Sequence, residues 1–158
     1  MYPKANLIAL IRDPADRAVS QYFHNLRKGR ESNSFSKAIE LELERSVLDF
    51  DNPEGITRHF SYLARGNYEQ QLRRFQNYFA FSQVHVVVSE EYFSNPQQIL
   101  RGLSERIGVS VAGIENRRRN RGKNKSNNAV AMADEIRPLF TAKNRELELF
   151  LGRSLPWT

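Results

Sequence analysis

Apolar residues gather in two ways along this chain. In two places they run nearly without a break: "KANLIALI" at residues 4–11 and "QVHVVVS" at 83–89. A strand covered on both faces shows such a run rather than strict alternation, so both stretches predict buried β-strands. The second is also rich in β-branched side chains, which suit a strand.

Elsewhere the apolar positions recur every third or fourth residue, the period of a helix with one buried face. Asp13 is placed to cap a helix, Pro14 fits its first position, and Asp16 falls where a capping-box acid belongs. A helix over 14–28 follows, ending near Gly29, with Ala15, Val19, Tyr22, Phe23 and Leu26 as its apolar stripe. A second helix is predicted over 35–48, capped by Ser34 and faced by Phe35, Ile39, Leu43 and Val47. "DNPEG" at 51–55 is turn chemistry. A third helix over 67–79 presents Tyr68, Leu72, Phe75 and Phe79. A fourth runs from Pro96 to Ile107 and closes at Gly108. Residues 115–128, "ENRRRNRGKNKSNN", contain no apolar side chain and read as a loop. A last helix over 133–151 carries Ile136, Leu139, Phe140, Leu147, Phe150 and Leu151.

Strands separated by helices imply an α/β layer fold with a parallel sheet. In such sheets ligands bind beyond the carboxyl ends of the strands. Arg12 leaves the first strand at that edge, and Glu90 and Glu91 leave the second.

The chain has 158 residues, enough for one domain with a real core. No repeat and no linker divides it, so residues 1–158 are read as a single domain. No apolar run is long enough to span a bilayer, and residues 7–11 are too short for a signal peptide. The absence of cysteine removes disulfide and thiolate-zinc frameworks and fits a reducing cytoplasm. A net charge of +6 favours an anionic partner: phosphate, sulfate, nucleic acid or an acidic glycan.

The opening helix offers one place for such a partner. Its start presents backbone N–H groups and a partial positive charge. Arg12 stands at that mouth with a guanidinium suited to bidentate phosphate contact. Ser20 lies about two turns in, where its hydroxyl reaches a second phosphate oxygen if that face meets the cleft. The plainer reading remains open: Asp13 caps, Arg12 pairs with a surface acid, and Ser20 is merely small. The basic loop "RRRNRGKNKSNN" likewise reads as an anion clamp around Gly122, a nucleic-acid patch, or a solvated loop. Glu90 and Glu91 do not converge as an acid–base pair, because neighbours on an extended segment point opposite ways. His24, His59 and His85 are scattered, so no metal site is expected. Trp157 is expected to pack the C-terminal end on the core.

"YPKANLIALIRDPADRAVSQYFHNLRKG" resembles the segment with which sulfotransferases grip the 3′-phosphate of 3′-phosphoadenosine 5′-phosphosulfate (PAPS). An arginine after the strand and a serine eight residues later fall at Arg12 and Ser20. The resemblance continues through "YLARGNYEQQLRRFQNYF" and "VHVVVSEEYFSNPQQILRGLSERIGV" to "NRELELFLGRSLPW". It is strongest to Golgi-type and bacterial glycan sulfotransferases. It implies a P-loop-hydrolase-like fold and sulfuryl transfer from PAPS, without a metal, to an acceptor hydroxyl or amine, a carbohydrate above all. Arg121, Gly122 and Lys123, with Lys125 a weaker match, fall on the family's basic loop over the 3′-phosphate. Tyr62 and Arg65 fall where acceptor-cleft residues are expected, and Glu90 and Glu91 become a structural corner.

The family's phosphate loop, with a lysine or arginine on the 5′-phosphosulfate, precedes the segment that opens here. So does its catalytic glutamate or histidine. No glycine-rich, lysine-bearing strand-to-helix turn is found elsewhere in the sequence. Three readings follow: a piece of a longer enzyme, the favoured one; half of a complex; or a relative that kept anion binding alone. The domain is therefore read as incomplete at its N-terminus, with an exposed sheet edge through which copies could associate. A cytoplasmic location is expected, with the lumenal domain of a membrane-anchored enzyme as the alternative. The rival function is a non-catalytic polyanion-binding module. Its basic loop carries no interleaved aromatics for base stacking, which makes nucleic acid the less favoured partner. A nucleotide kinase relative is disfavoured by the Arg12–Ser20 spacing.

Overall fold

The computed structural model describes residues 4–45, 59–110 and 127–158. Two parallel strands form its sheet, β1 (Leu7–Ile11) and β2 (Val84–Val88), in register from Leu7 opposite Val84 to Ile11 opposite Val88. Polar side chains pin the start of this pairing. Gln83 Nε2 donates to the Ala5 carbonyl at 2.9 Å, and His85 Nε2 lies 2.9 Å from Asn6 Oδ1.

Seven helices accompany the strands among the described residues: α1 (Pro14–Arg27), α2 (Phe35–Arg45), α3 (Tyr68–Gln76), α4 (Ser89–Ser94), α5 (Pro96–Ile107), α6 (Asn127–Ile136) and α7 (Thr141–Leu151). Helix α1 forms as expected, with Asp13 capping and Pro14 at its start. Helix α5 closes on Gly108 at φ 71°, a conformation that costs glycine nothing.

Two differences from the sequence reading have local causes. The last helix is two helices, α6 and α7, parted by a 3₁₀ turn at Arg137–Phe140. Pro138 lacks the N–H an uninterrupted helix would need there. The segment after β2 is helical at once, so Glu90 and Glu91 stand on α4 and not on an extended run. Neighbours on a helix also diverge, by about 100°, so the two carboxylates still do not converge.

The core has two centres. Ala9, Ile11, Val84, Val86 and Val88 pack on Tyr68, Leu72, Leu147 and Leu155, with Trp157 at the rim. Ala15, Ala18, Val19 and Tyr22 of α1 pack on Phe35, Ala38 and Ile39 of α2, on Tyr62, and on Ala133, Ile136 and Phe140. Gly66 lets these layers close: a Cβ there would lie 2.5 Å from the Phe140 ring and 2.8 Å from Pro14 Cβ. Phe75, Leu43 and Leu139, placed on apolar faces by spacing alone, are instead exposed.

One face of β1 also departs from expectation. Ile8 and Leu10 are 52% and 62% exposed, and β1 is paired on one side only among the described residues. The apolar run was read as a strand covered on both faces; here one face lies open.

Candidate functional site

The carboxyl end of β1 delivers Arg12 and then the cap of α1. Asp13 Oδ1 accepts from the backbone N–H of Ala15 at 2.8 Å and of Asp16 at 3.1 Å. Pro14 has no N–H, and Arg17 N–H bonds the Asp13 carbonyl at 2.9 Å. The first turn therefore keeps no spare backbone donor for a ligand, contrary to the sequence expectation.

The backbone N–H of Asp13 itself donates to Glu90 Oε1 at 3.0 Å. Glu90 thus ties the end of β2 to the turn after β1, across 77 positions of sequence. Glu91 turns away and accepts from Arg153 at 2.6 Å.

Arg12 is half-buried, and its Nη2 lies 3.9 Å from Asp16 Oδ2. Asp16 is also 3.9 Å from Arg137, whose Nη1 donates to Asp13 Oδ2. Ser20 is exposed on α1. Asp16 and Ser20, four positions apart, share one flank of α1, and Arg12, which precedes the helix, reaches Asp16 there. The plainer expectation, Arg12 beside a surface acid, is thus present in the geometry. At 3.9 Å and with the guanidinium more than a third exposed, that contact is a weak ion pair.

Behind that flank lies a polar group the sequence reading missed. Arg17 donates to Gln21 Oε1 at 2.7 Å and to the Tyr62 carbonyl. Burial pushes its pKa down, with Tyr68 opposing and Arg65 and Arg12 adding to the fall. Arg17 Nε, Tyr68 Oη and Glu90 Oε2 are enclosed without a hydrogen-bond partner. Burial raises the Tyr68 pKa, against the pull of the Arg17 guanidinium. The available signal for Arg17 was its place in the Asp13–Arg17–Gln21 series, a polar line bordering the apolar stripe.

The remaining candidates separate. Tyr62 is fully buried and donates to Glu31 Oε2 at 2.9 Å, so it forms core and not cleft. Gln71 donates to the carbonyls of Arg65 and Asn67, a local role. Arg65 is exposed and, with Gln21, His24, Asn25, Arg30 and His59, lines a cavity of about 220 Å³. Two of the scattered histidines, His24 and His59, therefore line one cavity. No group of metal-binding side chains occurs among the described residues. Arg121, Gly122, Lys123 and Lys125 lie outside the described residues.

A parallel β1–β2 pair with helices packed on it fits the sulfotransferase fold of P-loop-like type. The family model for the sulfotransferase domain matches residues 1–141. The chain belongs to that family. A crystal structure of a sulfotransferase from Alicyclobacillus acidocaldarius is similar at 28% identity and a TM-score of 0.76. The match covers 99% of this chain and 58% of that one, so this chain spans little more than half the length of its structural relative. Comparison with curated proteins found no match.

Proposed function

We propose that this chain forms the 3′-phosphate-binding side of a sulfotransferase that moves a sulfuryl group from PAPS to an acceptor hydroxyl or amine, a glycan foremost. The observation that carries the reading is Arg12 directly after β1 with Ser20 exposed on α1, one turn beyond the Asp16 that Arg12 faces, in a chain of this family. Arg12 supplies the paired N–H donors and Ser20 the hydroxyl that a phosphate dianion accepts. Arg121, Gly122 and Lys123 are proposed to close over the same group.

In the transfer, the bond from sulfur to the 5′-phosphate oxygen breaks and a bond to the acceptor oxygen or nitrogen forms. The acceptor proton must go to a base, and the leaving phosphate oxygen needs a stabilising charge. No described residue is assigned to either task, and both are proposed to lie in sequence or a partner beyond this chain. No described helix is long and apolar enough to cross a membrane.

Calorimetric titration tests the reading. Adenosine 3′,5′-bisphosphate is expected to bind at least tenfold tighter than adenosine 5′-phosphate, since only the former carries the 3′-phosphate. Equal affinities, or binding to a random oligonucleotide in place of the bisphosphate, would overturn it.

A further inference from the structure

We propose that Tyr68 is a positioning residue for the anion site: with Arg17 and Glu90 it holds one buried water beneath the turn from β1 to α1, and that water fixes the direction in which Arg12 leaves the strand. The word anion rests on the sulfotransferase reading; the water site rests on the three side chains alone.

Tyr68 opens α3 and is 9% exposed. Its ring packs in one cluster with Ile11 and Val88, the last residues of β1 and β2 and partners in the sheet. Its hydroxyl is enclosed. The first strand passes directly into Arg12, and the second reaches Glu90 two residues on. The charges of Arg17, Arg12 and Glu90 all act on the phenol, so the three groups surround it.

Each member of the trio has one polar atom left over. Arg17 spends Nη1 on Gln21 Oε1 at 2.7 Å and Nη2 on the Tyr62 carbonyl, which leaves Nε. Glu90 spends Oε1 on the Asp13 N–H at 3.0 Å, which leaves Oε2. Tyr68 has only its hydroxyl. Enclosed polar atoms of folded proteins are bonded, to protein or to ordered water. The remainder here is one donor, one acceptor and one group that is either. A water matches that set: it accepts from Arg17 Nε–H, donates to Glu90 Oε2 and makes a third bond with Tyr68 Oη. About three bonds is usual for a buried water. An anion would meet the Glu90 carboxylate and a cation the Arg17 guanidinium, so the neutral molecule fits.

The effect on the site passes through Glu90. A carboxylate bonded through both oxygens cannot turn about its own axis. Held in this way, Glu90 keeps the Asp13 N–H, and Asp13 is the neighbour of Arg12. With Oε2 unbonded, the carboxylate is free to rotate and to let that N–H go. Tyr68 thus touches no substrate. It acts through the water, the Glu90 carboxylate and one peptide group on the direction of the Arg12 side chain.

The test uses crystals of the full chain and of Tyr68→Phe, with calorimetric titration of adenosine 3′,5′-bisphosphate and adenosine 5′-phosphate. The parent is expected to hold one water within about 3 Å of Arg17 Nε, Tyr68 Oη and Glu90 Oε2, and Tyr68→Phe to lose or displace it. The ratio of the two affinities is expected to fall about fivefold in Tyr68→Phe. A merely structural loss would lower the melting temperature without moving that ratio. Trp157→Phe is the control, because it removes another enclosed donor without a partner, at the rim of the same core, and should leave the ratio unchanged. Tyr68 Oη bonded directly to Glu90 or to the Arg12 N–H, with no water between, overturns the proposal and leaves the nucleotide reading standing. So does an unchanged ratio in Tyr68→Phe, or an equal fall in Trp157→Phe. A parent that holds the water but does not prefer the bisphosphate supports the water site and overturns the nucleotide reading instead.

Discussion

The Arg137 guanidinium donates to the carboxylate of Asp13, 124 positions earlier in the chain. The 3₁₀ turn that Pro138 forces after α6 thereby reaches the cap of α1. The same guanidinium stands 3.9 Å from Asp16, the acid that also faces Arg12 at 3.9 Å. Arg137 is thus the competing counter-ion that leaves Arg12 partly available to a ligand. Asp16→Asn should raise affinity for adenosine 3′,5′-bisphosphate a few-fold, and Arg137→Ala should lower it. Both effects should shrink as salt rises, because exposed charges are screened over about 10 Å at 0.1 M. Titrations at two salt concentrations check this.

Glu90 acts on the site through backbone alone. Its Oε1 accepts from the Asp13 N–H, so Glu90→Ala leaves that donor unpaired, at a cost of about 1–3 kcal/mol. Glu90→Gln keeps a carbonyl oxygen and should restore most of the loss. Urea unfolding of the two variants gives the comparison, and bisphosphate affinity should follow the same order.

Gly66 is a packing constraint next to the start of α1. The methyl of Gly66→Ala would press on the Phe140 ring at 2.5 Å and on Pro14 Cβ at 2.8 Å. Phe140 is 2% exposed and has little room to yield. The expected loss is about 1–3 kcal/mol, read as a lower melting temperature.

Glu31 predicts part of the acid response. Its burial pushes the carboxyl pKa up. Hydrogen bonds from Asn33, Tyr62 and Ser32 together outweigh burial and hold it below the ordinary value. A carboxyl lowered in the folded state stabilises above its unfolded pKa, about 4.3. That contribution is lost as pH falls through the folded value. Glu31→Gln should therefore be less stable than the parent at neutral pH, with a difference that narrows below about pH 4. Melting temperatures across pH 3–7 test the sign.

The opening of the fold was legible because its signals are local. Asp13, Pro14 and the apolar stripe of α1 sit within one helix, and the strand before it is a plain apolar run. The open face at Ile8 and Leu10 was not legible, since a run of apolar residues does not say what covers it. The break at Pro138 was overlooked although proline marks it; the apolar spacing on both sides suggested one helix. For the site, Arg12 and Ser20 were named from spacing and from family resemblance. Arg137, Glu90 and the cavity around Arg30 and Arg65 depend on contacts between distant segments, which no single stretch records. Tyr62 shows the converse: the family resemblance suggested a cleft, and its hydroxyl is taken up by Glu31.

The most direct test of the account is the melting temperature of three proteins, the parent, Arg12→Ala and Ser20→Ala, with and without saturating adenosine 3′,5′-bisphosphate. Both side chains are at least partly exposed, so the substitutions should leave the unliganded protein folded. The account predicts a clear rise for the parent, since ligand at one hundred times its dissociation constant adds about 2.7 kcal/mol, and little or none for either variant. An equal rise in all three would contradict it.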